Sequence, residues 1–218
     1  MSNEIPLTEW GRPYSRAPER RDAAANRARI LQVAEELFAR QGVSAVNMAD
    51  VAQAAGVGKG TLYRNFANKG ELCLALLDTQ LREFQELRLA AMRRQAQSGL
   101  PALRQLARFL EALVSFSAVH MPLLCEVQQY GDALDGRELQ RPHFWQYMTV
   151  RGLLRNAVEA GELPHDFDTE YAAEALLAPL SPQTFRFQRE VLGFDLARVA
   201  RGLRTILEGL GALGQKQI

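Results

Sequence analysis

Between Gly56 and Phe66 the chain reads GVGKGTLYRNF. Glycines around a lysine, with a threonine close behind, are residue types that cradle phosphate. Bare backbone N–H groups approach the oxygens and the ammonium balances their charge. A nucleotide loop of this kind requires G-x-x-x-x-G-K-[ST] between a strand and a helix. Here Lys59 follows Gly58, but Gly60 holds the hydroxyl position and Gln53 stands five residues before Gly58. The preceding MADVAQAA reads as helix, not as a buried strand. Spacing and context both fail, so the phosphate left to consider is that of a nucleic-acid backbone.

Other reactive residue types offer less. His120, His143 and His165 are the three histidines, and none lies in H-E-x-x-H or beside a candidate nucleophile. HDFDTE at 165–170 has the composition of a metal cluster, but its place at a helix start behind Pro164 suits a cap and linker better. Cys73 and Cys125 are far apart and make neither a CxxC pair nor a disulfide framework, which fits a reducing cytosol. The expectation is no metal site, no cofactor and no enzyme.

Composition sets the frame for these residues. With 47% hydrophobic residues in 218, the chain can bury one large domain's core or those of two small ones. The formal net charge of +1 says nothing about nucleic acid by itself. Its distribution says more: six arginines fall between Arg12 and Arg29. The arm 1–26 could lie along phosphates or in a minor groove, or it could be a solvated tail. The start has no apolar signal-peptide core, and no stretch approaches 18 uncharged apolar residues. No membrane contact and a cytoplasmic location are expected.

The elements that must position Lys59 are helical. Apolar residues recur at helical spacing almost everywhere, and alternating β-branched runs are absent. Ile30, Val33, Ala34, Leu37 and Phe38 share one helix face, which Gly42 should end. Asn47 and Asp50 form a capping-box pattern for a second helix with Met48, Val51, Ala52 and Ala55 inward. Gly56 ends that helix, and a third short helix points Leu62 and Phe66 inward. Asn68 and Glu71 cap a long helix through Leu72, Ala75, Leu76, Thr79 and Phe84.

Farther on, SGLP at 98–101 is a break, and a helix then runs to His120. Pro122, Gly131, Gly136 and Pro142 should punctuate the middle, before a helix from about His143 to Ala160. Asp168 caps the next helix, which Pro179 and Pro182 should interrupt. The last helix carries Leu196, Val199, Leu203, Ile206, Leu207 and Leu210. The fold class is therefore all-α.

Two short helices around a glycine-containing turn make a helix-turn-helix, whose second helix enters the major groove by its N-terminal end. Gly60, lacking Cβ, lets backbone approach DNA closely, and Lys59 adds charge there. Thr61, Tyr63, Arg64 and Asn65 can point outward. The same pattern also occurs in plain helical bundles, with these as ordinary surface residues.

Residues 29–72, RILQVAEELFARQGVSAVNMADVAQAAGVGKGTLYRNFANKGEL, resemble the N-terminal domain of TetR-family transcriptional regulators. The matching features are I-L-x-x-A-x-x-L-F-x-x-x-G, then D-x-A-x-x-A-G-V-x-K-G-T-L-Y-x-x-F, then K-x-E-L. The resemblance implies a three-helix DNA-binding domain at 23–70, with its motif at 47–66. Residues 71–218 would form an effector-binding and dimerisation domain. It implies a homodimer, usually a repressor, that binds palindromic double-stranded operator DNA and is released by a small-molecule effector. Asn47 and Met48 would lie near a phosphate. Lys59, Gly60, Thr61, Tyr63, Arg64 and Asn65 would form the DNA face, and Lys69 would approach the backbone. Four positions depart from the family pattern: Gly58 for Ser/Thr, Asn47 for Thr, Asn65 for an aromatic or histidine, and Gly70, which should loosen the following helix.

The resemblance places an effector pocket in the second half. HMPLLCEVQQYG at 120–131 offers His120, Cys125, Glu126 and Gln129; HFWQYM at 143–148 offers Phe144, Trp145, Tyr147 and Met148. An apolar cavity with a few polar groups is what ligand sites look like, though aromatics at helical spacing also build cores. Glu126 could balance a cationic ligand or face water. The helices near 168–189 and 195–212, with Ala172, Ala173, Ala175, Ala200, Gly202 and Gly209, could pair across a two-fold axis. An architectural DNA binder without effector is the rival reading.

Overall fold

Helix α1 spans Arg16–Gln41 and so begins well upstream of Ile30, where the apolar periodicity first shows. Its added turns are rich in Ala and Arg, good helix formers that carry no amphipathic signal. The computed structural model describes residues 16–130 and 136–215, with side-chain surroundings for 23–130 and 144–212. Arg12 and the side chains of Arg16, Arg20 and Arg21, as well as Gly131 and the side chains of Pro142 and His143, lie outside the described residues.

Local chemistry sets the head. Gly42 ends α1 at φ +83°, a conformation that costs glycine nothing. Helix α2 spans Met48–Ala54 under a complete capping box. Asn47 Oδ1 accepts from the Ala49 and Asp50 N–H groups at 2.9 and 3.1 Å, and Asp50 Oδ2 accepts from the Asn47 N–H at 2.9 Å. Helix α3 spans Lys59–Asn65, and α4 spans Lys69–Gln97. Asn68 Oδ1 accepts from the Glu71 N–H, while the Glu71 carboxylate reaches back to the N–H of Ala67.

Helix α5 spans Ala102–Gln129 and α6 spans Gly136–Glu159. The expected break at Pro122 does not occur. A proline inside a helix costs about 3 kcal/mol, but α5 buries Val114, Ser117 and Met121 on one side of it and Glu126 and Val127 on the other. That lateral packing holds the helix together. Likewise α6 begins before His143, and Pro142 lies within it. Asp168 caps α7 (Thr169–Leu177) by accepting from Glu170 and Tyr171 N–H groups. Pro179 and Pro182 then break the chain as expected into a 3₁₀ turn (Ala178–Leu180), the short α8 (Pro182–Arg186) and a π turn (Phe187–Val191). Helix α9 spans Leu196–Gln215.

The described residues are helical with no strand, arranged around two cores. The head core joins Ile30, Ala34 and Leu37 of α1 to Val51, Leu62 and Phe66, and to Leu72 and Cys73 of α4. The body core packs Leu106, Leu110 and Leu113 of α5 against Leu154, Leu176, Phe185 and Leu203. Helix α5 is long and apolar enough to cross a membrane by length and composition alone, yet it packs on α4, α6, α8 and α9. Its C-terminal end serves both cores: Val127 belongs to the head, and Leu124 touches both clusters. Its N-terminal end follows Pro101, which has no side-chain oxygen to cap it. The Glu162 carboxylate does so instead, accepting from the Ala102 and Leu103 N–H groups at 2.6 and 2.9 Å.

Candidate nucleic-acid interface and ligand cavity

Helix α3 is anchored from below by Leu62 and Phe66, both essentially buried. Arg27 adds a clamp from α1: its guanidinium sits 4.3 Å from the Phe66 ring centroid and donates to the Asn65 carbonyl at 3.0 Å. With its inner face fixed, α3 presents Lys59, Gly60, Tyr63 and Arg64 to solvent, Tyr63 being 51% exposed. Thr61 is half-buried, and its hydroxyl and the Gly60 carbonyl both accept from Arg64. Asn65 is also half-buried and donates its amide back to the Thr61 carbonyl at 2.8 Å.

Gly60 has no internal reason to be glycine. A Cβ there would meet nothing within 4 Å, and glycine inside a helix costs about 0.5–1 kcal/mol relative to alanine. Asn47 is exposed at the start of α2. Met48 is not: its side chain is 8% exposed and packs in the head core, so only its backbone could approach a phosphate.

Lys69 differs most from expectation. It was expected to reach the DNA backbone, but it is 9% exposed and its Nζ lies 3.2 Å from Glu126 Oε1. The ammonium is turned inward because α4 packs on the end of α5, where the buried Glu126 carboxylate satisfies it. Glu126, expected in a ligand pocket, is therefore committed to this pair. Cys73 lies beside it; burial first, and then the Glu126 charge, push its thiol up to about 12, so it is a packing residue. The same joint explains Gly70. A Cβ at Gly70 would lie 2.6 Å from Tyr130 Cβ, so Gly70 permits close approach of α5 rather than loosening α4.

A cavity of about 490 Å³ opens beside this joint, within the usual size range of small-molecule sites. Helix α4 supplies Leu74, Leu77 and Leu81; α5 supplies Phe116, Ser117, Leu124, Val127 and Gln128. Gln146 of α6, Glu174 and Leu177 of α7, and the segment from Ala178 to Thr184 complete it. A larger hollow, about 730 Å³, lies at the opposite end of α5, lined by Arg104, Arg108, Glu111, Glu162, Arg204 and Glu208. Its charged lining and its distance from the head make it the weaker candidate.

None of the eight sequence candidates lines the first cavity. Trp145 stacks edge-on against Phe84 and Phe109 in the body core. His120 lies against Phe116 at 4.2 Å between ring centroids, and burial lowers its pKa. Cys125 is half-buried, its thiol pKa raised by burial. Tyr147 is half-buried against the body core, whereas Gln129, Phe144 and Met148 are exposed. The cavity draws on both segments, but it takes Gln128 rather than Gln129, and Gln146 rather than Trp145 or Tyr147. Arg27, Glu162 and the leucines of α4 were missed, since each acts through a partner distant in sequence.

Residues 30–76 match the sequence profile described as bacterial regulatory proteins, tetR family. The chain is 29% identical over 170 residues to the HTH-type transcriptional regulator TtgR of Pseudomonas putida, covering 72% of this chain and 77% of that one. Among solved structures, a protein described as a transcriptional regulator from Saccharomonospora viridis, in complex with choline, superposes with a TM-score of 0.67 at 19% identity over 85% of this chain and 96% of that one. The transcriptional regulator FadR from Bacillus subtilis, in complex with stearoyl-CoA, gives 0.60 at 19% identity over 83% and 96%. With the capped helix-turn-helix, its anchored second helix and the all-α body behind it, the head carries the tetR-family profile and the chain as a whole is similar to HTH-type transcriptional regulators.

Proposed function

We propose that the chain is a homodimeric repressor whose head, residues 23–70, binds palindromic operator DNA in the cytoplasm. The rest, 71–218, would bind a small-molecule effector that releases it. The observation that carries this reading is α3: a helix fixed on its inner face, with Lys59, Gly60, Tyr63 and Arg64 outward and a glycine that only an outside partner needs. Thr61 and Asn65 contribute from the edge of that face, and Asn47 with the Met48 backbone meets a phosphate at the start of α2. Lys69 is left out of the contact set.

Two observations support the dimer. Phe187, Val191, Leu192 and Ile206 are 51%, 67%, 47% and 51% exposed around α8 and α9. On α9, Gly202 and Gly209 face open space on either side of Ile206, so a partner helix could approach closely. Ala173 is fully buried in its own core and takes no part. Two heads would then meet successive major grooves about 34–36 Å apart.

Release follows from the joint. A ligand against Leu74, Leu77 and Leu81 pushes on α4, and one against Leu124 and Val127 pushes on the end of α5. The Lys69–Glu126 pair ties those two helices at the base of the head. Movement of either helix therefore shifts the head and the spacing of the two α3 helices.

The test is fluorescence anisotropy on DNA from upstream of the chain's own gene, against a scrambled duplex at two salt concentrations. Selective binding of two chains per duplex is expected. Tyr63→Ala should weaken it without lowering the melting temperature, and Lys59→Ala should reduce the salt slope by about one phosphate contact. Equal, weak binding of both duplexes would favour an architectural DNA binder.

A further inference from the structure

Helix α3 is seven residues long. A helix this short does not hold itself together in water, so its pose depends on what grips it. Its N-terminal end has no side-chain cap, because Gly58 stands at the cap position. Leu62 and Phe66 set it down on the head core. Apolar contact is non-directional, however, and leaves a short helix free to tilt and slide. Its C-terminal end carries carbonyls without a partner inside the helix and the negative end of the helix dipole.

Arg27 meets that end from α1, across thirty-eight residues of sequence. One guanidinium nitrogen donates to the Asn65 carbonyl at 3.0 Å, and the central carbon lies over the Phe66 ring, 4.3 Å from its centroid. Within α3 the Phe66 N–H donates to the Leu62 carbonyl, and the Asn65 amide donates to the Thr61 carbonyl. The last turn is therefore tied to itself and, through Arg27, to α1. A planar fork can bond a carbonyl and cover a ring face at once, whereas the ammonium of lysine is a point charge on a flexible stem.

Arg27 is exposed, and an exposed arginine on a basic head suggests one more phosphate contact. Its guanidinium nevertheless turns back onto α3. We infer that Arg27 is a positioning residue for operator recognition. By holding the Asn65 carbonyl and the Phe66 ring it sets the tilt of α3, and with it where Tyr63 and Arg64 stand against the duplex. The inference rests on the reading of α3 as the helix that meets DNA. Base-edge contacts require close placement, while attraction to the backbone tolerates misplacement. Loss of the clamp therefore costs selectivity rather than general affinity.

The whole protein is compared with Arg27→Lys, which keeps the charge, and Arg27→Met, which does not. The probes are the duplex that the parent enriches from a random pool and a scrambled copy, titrated by anisotropy over a salt series. Arg27→Lys should bind the enriched duplex about tenfold more weakly than the parent. Its affinity for the scrambled copy and its salt slope should be unchanged. Lysine should recover little of the selectivity lost in Arg27→Met. Without DNA, the Phe66 amide proton should exchange faster in both variants, with the Leu72 amide proton of α4 unchanged.

An Arg27→Lys protein that selects like the parent overturns the positioning role, because charge alone then suffices. So does a loss in Arg27→Met shared equally by both duplexes, with a salt slope lower by about one phosphate contact. Unchanged exchange at Phe66 overturns the clamp itself. A parent that enriches no duplex defeats the reading of α3 as the DNA-contacting helix, and the positioning role falls with it. That result appears before any variant is made, so the two failures are distinguishable.

Discussion

Removal of the Glu126 charge should destabilise the protein more than any surface substitution. In Glu126→Gln the Lys69 ammonium stays buried, about a tenth exposed, with an amide in place of its counter-ion 3.2 Å away. Breaking one side of a buried pair costs about 3–5 kcal/mol. For a chain of this size that corresponds to a fall in melting temperature of roughly 6–20 °C. Lys69→Met should cost a similar amount, because it strands the carboxylate beside the Cys73 thiol. The double variant Lys69→Met/Glu126→Leu removes both charges and should return to within about 1–2 kcal/mol of the parent. Urea unfolding of the parent, Lys69→Met, Glu126→Leu and their double variant closes a double-mutant cycle, and a coupling of about 2 kcal/mol or more is expected. Single variants that each cost less than about 1 kcal/mol, with no coupling, would mean that water reaches the pair and that it does not hold α4 to α5.

Gly60→Ala should raise the melting temperature, by the equivalent of about 0.5–1 kcal/mol, and yet weaken operator binding in anisotropy titrations. An alanine variant that binds as well as the parent would remove the close backbone approach from the interface. Gly70→Ala should destabilise by about 1–3 kcal/mol, because the new methyl meets Tyr130 Cβ. Adding Tyr130→Gly should recover part of the loss in the same unfolding assay. Burial lowers the pKa of His120 from its ordinary 6.5. The unfolded chain therefore takes up a proton that the folded chain resists, so stability falls as pH drops through 6.5. His120→Phe should reduce the loss of melting temperature between about pH 7 and pH 5. An unchanged pH profile would show that His120 is solvated.

Most of the head is legible in the sequence because its signals are local. Asn47 with Asp50, Asn68 with Glu71, and the glycines at 42 and 56 act within a few residues of themselves, and each does what its type predicts. The start of α1 and the passage of α5 through Pro122 were not legible. The first has no apolar stripe to read, and the second is decided by lateral packing that a local proline rule does not see. The site divides the same way. Lys59, Tyr63 and Arg64 point outward because Leu62 and Phe66 point inward, a matter of helical phase alone. Lys69 and Glu126 look like free charges in sequence, and only the crossing of α4 and α5 makes them partners. The cavity follows from how four helices are rotated against each other, so the sequence points to segments that line it but not to the faces that do.

The carboxylate of Glu162 has a consequence for the order in which the body assembles. Its two acceptor bonds reach across sixty and fifty-nine residues to the first turn of α5. That turn cannot be completed by its own neighbourhood and must wait until α6 has returned along α5. Closing so long a loop is slow, and it makes the first turn of α5 a late, cooperative event rather than a nucleus. The amide protons of Ala102 and Leu103 thereby become reporters: their exchange with solvent measures how often the α6–α7 loop lets go, at the end of the molecule farthest from DNA.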